Sequence, residues 1–274
     1  MGRPRSSRFR CTAATIGALA ATVALVACGD DNGGGDSGGE TAAGTPALPQ
    51  GSEPVSLNPA DFTTEIDNPY WPITPGSRWV YEETDEEGTL LRVEVTATDQ
   101  TKTIANGVEA RVVHDVVSED GEPVEVTDDW YAQDSAGNVW YLGEDTVECE
   151  KGHIATREGS FESGVDGAQP GVIMPARLKE GLTYRQESFP GHAEDRAEIF
   201  SLDEMAEVPF GHFPHTLMIK ETNPIEPKVE EFKFYAQGIG PVEAVAVSGG
   251  TDREELLRIR HDRKVKASTK HRCK

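Results

Sequence analysis

A chain of 274 residues with 26 basic and 48 acidic side chains carries a formal net charge of −22. That balance argues against a nucleic-acid binder and against a basic membrane-hugging face, because both require clustered cations.

Residues 1–27 read as a lipoprotein signal peptide. Arg3, Arg5, Arg8 and Arg10 precede a 17-residue apolar run, Cys11 to Ala27, which is too short and alanine-rich for a comfortable transmembrane helix. It ends in Leu25-Val26-Ala27-Cys28, a lipobox, so Cys28 is the expected lipidated first residue of the mature chain. The alternative is an ordinary signal peptide or membrane anchor with a chance cysteine. Lipidation would place the protein on the extracytoplasmic face of the cell membrane, with the lipid anchor as its membrane contact.

Residues 28–55 hold almost no large apolar side chains and read as a disordered Gly-rich tether, with a root-mean-square reach of roughly 30 Å. Within it Gly35-Asp36-Ser37-Gly38-Gly39 spells the string around the nucleophile of trypsin-like proteases. No histidine or double barrel precedes it, so it is a chance product of linker composition. Without residues 1–27 the net charge is −26, and residues 28–257 alone carry −33, because eight basic residues and one acid follow from Arg258 onward. The basic tail, residues 261–274, offsets the body's self-repulsion or touches an anionic lipid or wall polymer. Of the four cysteines, Cys149 and Cys273 remain after processing; an even remainder outside the cytoplasm favours a disulfide, although Cys273 is the penultimate residue.

Residues 56–260 read as one β domain. Turn signals recur at strand spacing, at Glu87-Gly88, Asn106-Gly107, Asp120-Gly121, Ala136-Gly137, Gly191, Gly211, Gly238 to Gly240 and Gly249-Gly250. Between them lie β-rich runs: Leu90 to Thr98, Val108 to Val117, Leu182 to Phe189, Thr216 to Glu221, Glu231 to Ala236 and Val242 to Val247. Connections this short force antiparallel neighbours. The fold class is mainly β, an antiparallel meander of about ten to twelve strands forming a half-barrel or barrel, with few or no helices after the signal peptide.

The stretch DDWYAQDSAGNVWYLGED, residues 128–145, predicts a hairpin around a type I turn with Gly137 left-handed. Residue 134 then pairs with 138, Ala132 with Trp140, and Trp130 with Leu142. These apolar residues form a core face, while Tyr131, Gln133, Val139 and Tyr141 share an amphipathic face that is solvated or lines a cleft. On that reading Trp130→Ala costs far more stability than Tyr131→Ala.

Together with NPYWPITPGSRWVYEE (68–83), GSFESGVDGAQPGVIMPA (159–176), YRQESFPGHAED (184–195) and FKFYAQGIGPV (232–242), this stretch resembles the segments of a widespread group of uncharacterised secreted bacterial proteins and lipoproteins. Phe161, Gln237 and His192 depart from the pattern, where tryptophan, proline and an acidic or variable residue are expected. The resemblance implies a secreted β domain and no activity. At fold level alone the meander is similar to the half-barrels of lipoprotein carriers, which hold acyl chains on a concave face.

Motifs for chemistry are sparse. His212 and His215, with His192 and Glu194, are ligand types for zinc or copper, but Pro214 makes the first pair read as a loop. Asp129, Asp134, Glu187, Glu194 and Asp195 are candidate acids for glycan cleavage, with nothing in the sequence to select a pair. Outside the Gly-rich tether no G-x-S-x-G, H-E-x-x-H, P-loop or G-x-G-x-x-G string occurs, and no cofactor is implied.

The Gly/Pro-rich segment Ser163 to Gly181 carries Val172, Ile173 and Met174 and reads as a lid over the concave sheet or a strap packed on its end. The expectation is a monomeric, non-catalytic binding module for an apolar or amphipathic ligand, lined by Tyr131, Tyr141 and Val172 to Met174. Carboxylate-dependent hydrolysis of envelope glycan and a structural envelope role are the alternatives. A trough of roughly 300 Å³ or more fits the ligand reading. A barrel filled by Trp79, Trp130, Trp140, Phe232 and Phe234 ends it.

Overall fold

Short alternating runs joined by glycine turns can bury one face only by folding back on themselves, and the chain does so throughout. The computed structural model describes residues 48–262 and Cys273. The signal peptide, Cys28, the Gly35 to Gly39 string and the basic tail other than His261, Asp262 and Cys273 lie outside the described residues. Among the described residues a single 3-10 turn, Pro59–Asp61, precedes fifteen strands. In chain order they are β1 (Phe62–Thr63), β2 (Ser77–Thr84), β3 (Leu90–Thr103), β4 (Glu109–Glu119), β5 (Glu122–Asp134), β6 (Val139–Glu150), β7 (His153–Thr156) and β8 (Phe161–Glu162). There follow β9 (Gly171–Met174), β10 (Thr183–Arg185), β11 (Arg196–Val208), β12 (Gly211–Thr222), β13 (Glu230–Ala236), β14 (Gly240–Ser248) and β15 (Arg253–His261). No helix among the described residues is long and apolar enough to cross a membrane.

Twelve strands run in one antiparallel path, β10-β11-β12-β13-β14-β15-β2-β3-β4-β5-β6-β7, with β1 added to β5, and β8 and β9 to β6. The sheet curves but does not close through a continuous ladder, so it is a half-barrel. Its open side is crossed by the 163–181 connector. Val172 and Met174 pair with Trp140 and Val139, Gln169 bridges to Ser188, and the Arg185 guanidinium Nε donates to the Pro170 carbonyl at 3.1 Å. Val172, Ile173 and Met174 are at most 3% exposed, so this segment is a paired strap and not a mobile lid.

The hairpin at residues 128–145 forms as its turn chemistry dictates. The Gly137 amide donates to the Asp134 carbonyl, Gly137 has φ 92°, and Ala132 and Tyr131 oppose Trp140 and Tyr141. Asp134 is the turn's organiser: its carboxylate accepts from the Ala136 and Asn138 amides, the Asn138 side chain and the Trp140 indole. Beyond Tyr131 the register departs from simple alternation, because the ladder resumes at Asp129 opposite Glu144 and β6 carries one extra residue, a β-bulge. Trp130 therefore faces Leu142 and Gly143 together. Gly143 has φ 125°, and any side chain there would collide with the Phe161 carbonyl. The bulge restores Glu144 to the face that carries Tyr141.

Three further readings are corrected. His212 to His215 lie on β12, and Pro214 sits where the β11–β12 register shifts between Glu204 and Ala206, one of the few sheet sites that accept proline. On β13 it is Glu231, Lys233 and Tyr235 that face the concave side, while Phe232 lies on the other, edge-on to Phe200 at 4.9 Å. Residues 48–55, assigned to the tether on composition, pack on the domain: Leu48 touches the core, the Arg185 amide donates to the Pro49 carbonyl, and the Arg185 guanidinium donates to the Glu53 carbonyl at 2.7 Å. A disulfide joins Cys149 on β6 to Cys273 beside Val126 and Val147.

Candidate functional site

The concave face encloses an open-mouthed cavity of about 170 Å³. Alternation on β2, β5 and β13 places Trp79 and Tyr81, Asp129 and Tyr131, and Glu231, Lys233 and Tyr235 along its wall. The loop before β2 contributes Trp71, Pro72 and Ile73, and the strap contributes Ile173. Aromatic rings form a file across it: Tyr235 to Trp71 at 5.7 Å, Trp71 to Tyr131 at 5.7 Å, and Tyr131 stacked on Tyr141 at 5.0 Å. Of the residues expected to line a ligand, Tyr131, Tyr141 and Ile173 border the cavity; Val172 and Met174 are fully buried and do not. Trp71, Tyr235 and Glu144 were missed. The parity of β13 could have identified Tyr235, but the bulge that turns Glu144 inward leaves no signal except a glycine at 143.

This wall is charged as well as aromatic. Nine carboxyl groups line the cavity against two basic groups, Lys233 and Arg253. Both cations are already engaged: Lys233 Nζ lies 2.6 Å from Glu221 and 3.6 Å from Glu231, and Arg253 lies 2.7 Å from Glu243. The Tyr141 hydroxyl is within 2.7 Å of Asp129 Oδ1 and 2.9 Å of Glu144 Oε2. A phenol carries one proton, so only one of these bonds is its own donation. Burial, then the neighbouring Asp129, push the Glu144 carboxyl well above the usual carboxylate range, so Glu144 keeps its proton and donates to the phenol oxygen. Its Oε1 is buried without a partner. Burial likewise raises Glu231 to about 8, against the opposing pull of Lys233, and Asp252 to about 6. Asp252 Oδ2 and the Trp71 indole Nε1 are also buried without partners at this wall.

The remaining candidate acids separate. Glu187 and Asp195 come together, the Glu187 amide donating to the Asp195 carbonyl at 3.1 Å, and burial lifts Asp195 to about 6. Glu194 accepts from the Gly191 amide, His192 stacks on Phe189 at 4.4 Å, and His215 pairs with Asp203 at 2.6 Å on the surface. Among the described residues no group of three or more His, Cys, Asp or Glu side chains could hold a metal ion, so His192, Glu194, His212 and His215 do not form one.

No family model matches the chain, and no curated protein matches it in sequence. Two solved structures show a remote similarity to the chain. One is a protein described as exported, with a YmcC-like fold, from Bacteroides fragilis: 14% identity, TM-score 0.42, 70% of this chain and 98% of that chain. The other, described as a lipoprotein, is from Parabacteroides distasonis: 13% identity, TM-score 0.34, with the same coverage of 70% and 98%.

Proposed function

We propose that the protein is a lipid-anchored extracytoplasmic lipoprotein whose half-barrel binds a small amphipathic molecule. The observation that carries this reading is the aromatic file from Tyr235 through Trp71 to Tyr131 and Tyr141 along an open cavity. Such a wall gains free energy from apolar surface removed from water, while the carboxyls above it orient a polar end. At about 170 Å³ the cavity falls short of the roughly 300 Å³ trough set for the ligand reading, which narrows the proposal to a small guest.

A glycan hydrolase is the second reading, favoured by Asp129 and Glu144 converging from β5 and β6. Catalysis by two carboxyls needs the gap between them free for the glycosidic bond. Here the Tyr141 hydroxyl occupies that gap, which favours binding over hydrolysis.

Mass spectrometry of small molecules extracted from the purified protein, together with tryptophan fluorescence on adding amphiphiles, tests the proposal. A co-purified or added ligand should perturb Trp71 and Trp79, and Ala244→Phe, which fills the cavity wall, should abolish the effect. An unchanged signal in Ala244→Phe overturns it. The anchor is tested separately: Cys28→Ala should move the folded protein out of the membrane fraction, and retention there after a high-salt wash overturns that half.

A further inference from the structure

Resting on the binding reading above, we infer that the cavity is a site for a free organic cation, an ammonium group held beside the Trp71–Tyr131–Tyr141 aromatic wall by the Glu144 carboxyl. Three features of its lining point to that guest. Trp71, Tyr131 and Tyr141 line the cavity with aromatic rings, the side-chain type that attracts a desolvated cation. The wall carries nine carboxyls against two cations that are both already paired. Glu144, only 3% exposed, presents a buried Oε1 with no partner, and Asp252, 7% exposed, an Oδ2 with none. A cationic guest brings these oxygens the positive charge that a neutral guest of the same shape lacks. A metal ion is a poor substitute, since among the described residues no group of three ligating side chains converges. An anionic guest meets carboxyls on nearly every strand.

Occupancy is coupled to protons. Glu144 on β6 faces Asp129 and Glu125 from β5, Tyr141 on its own strand, and, beyond Tyr141, Glu187 from the segment after β10. No basic group is among the neighbours that set its ionisation, so the empty site keeps its proton there. A cation entering beside Glu144 favours the ionised form, and the proton leaves to solvent as the ammonium takes its place. Affinity for a cation therefore rises with pH, and affinity for a neutral molecule of the same shape does not.

Titration calorimetry of the full folded domain with choline and with its uncharged isostere 3,3-dimethylbutan-1-ol tests this. Choline should bind at least about tenfold more tightly, the order of a desolvated cation–π contact plus a carboxylate partner. Its affinity should increase from pH 6 to pH 8, with proton release detectable as a buffer-dependent heat. Glu144→Gln should remove the pH dependence and most of the preference. If that variant fails to fold, the isostere comparison on the unaltered protein still decides. Phosphocholine should bind more weakly than choline; equal affinity would show that a headgroup, not a free cation, is taken and would overturn the charge argument. Equal binding of choline and its isostere overturns the cation inference but leaves the binding proposal standing. Absence of binding by both, with no fluorescence response to any amphiphile, overturns both.

Discussion

Tyr131 and Tyr141 lie directly opposite each other on β5 and β6, their rings stacked at 5.0 Å, and Tyr131 also packs against Trp71 at 5.7 Å. An amphipathic, half-solvated role for Tyr131 does not survive that packing: it is 8% exposed, against 7% for Trp130 on the other face. Trp130 is itself covered, with Lys102 Nζ 4.0 Å above its ring. Truncating either aromatic leaves a cavity of similar kind. Trp130→Ala and Tyr131→Ala are each expected to cost about 3–5 kcal/mol in chemical denaturation. A Tyr131→Ala cost below about 1 kcal/mol would show that the file is solvated.

Tyr141→Phe isolates the hydroxyl. Without it Asp129 and Glu144 lose their shared partner while both carboxyls stay in place. The loss is that of leaving buried polar atoms unsatisfied, about 1–3 kcal/mol, with little change in packing volume. Urea midpoints with an unchanged m-value check it, and a neutral substitution would mean that water replaces the phenol at no cost.

The outline of the fold was legible in the residues because turn glycines and strand runs alternate at hairpin spacing, and twelve strands do form the main path. What was not legible came from places where a single residue resets parity or context. The extra residue at Leu142-Gly143 turns Glu144 inward, and nothing in a two-residue period signals a bulge. β13 points Glu231, Lys233 and Tyr235 at the cavity, although its phenylalanines are the more hydrophobic set. Pro214 was taken for a loop because proline removes a ladder donor, yet an irregular stretch of β12 accommodates it.

Buried acid makes stability depend on pH with a definite sign. Glu231 rises from 4.5 to about 8, and Asp195 and Asp252 rise from 3.8 to about 6, each chiefly through burial. Between the unfolded and folded values the native state holds more protons than the unfolded chain. The contribution is present below about pH 4 and is lost as pH rises through 6 and then 8. Melting temperature should therefore fall from pH 5 to pH 8.5, and Glu231→Gln should flatten the upper part of that fall. A melting temperature that climbs over this range would contradict the protonated assignment.

The Cys149–Cys273 bridge closes a sequence separation of 124 and ties the chain end to β6. Replacing both cysteines with alanine should destabilise the domain by about 2–5 kcal/mol, chiefly by freeing the unfolded chain. Calorimetry with and without reductant measures the same quantity twice. Reduction should shift the parent protein and leave the double variant unmoved, and a shift in the variant would place the effect elsewhere.

Gly143→Ala tests the bulge that builds the site. Two penalties coincide there, a φ of 125° that side chains rarely adopt and a direct collision with the Phe161 carbonyl on β8. Gly121→Ala is the matched control: Gly121 has φ 84° with nothing near its missing side chain, so only backbone strain of about 1–2 kcal/mol is expected. Gly143→Ala should exceed that control by a further ~1–3 kcal/mol, the usual scale of overpacking. Because relief requires β6 to slip or β8 to detach, Glu144 loses its place opposite Asp129, and the response of Trp71 and Trp79 fluorescence to ligand should fade even where the variant stays folded. If Gly143→Ala costs no more than Gly121→Ala and leaves that response intact, the bulge is incidental to the site.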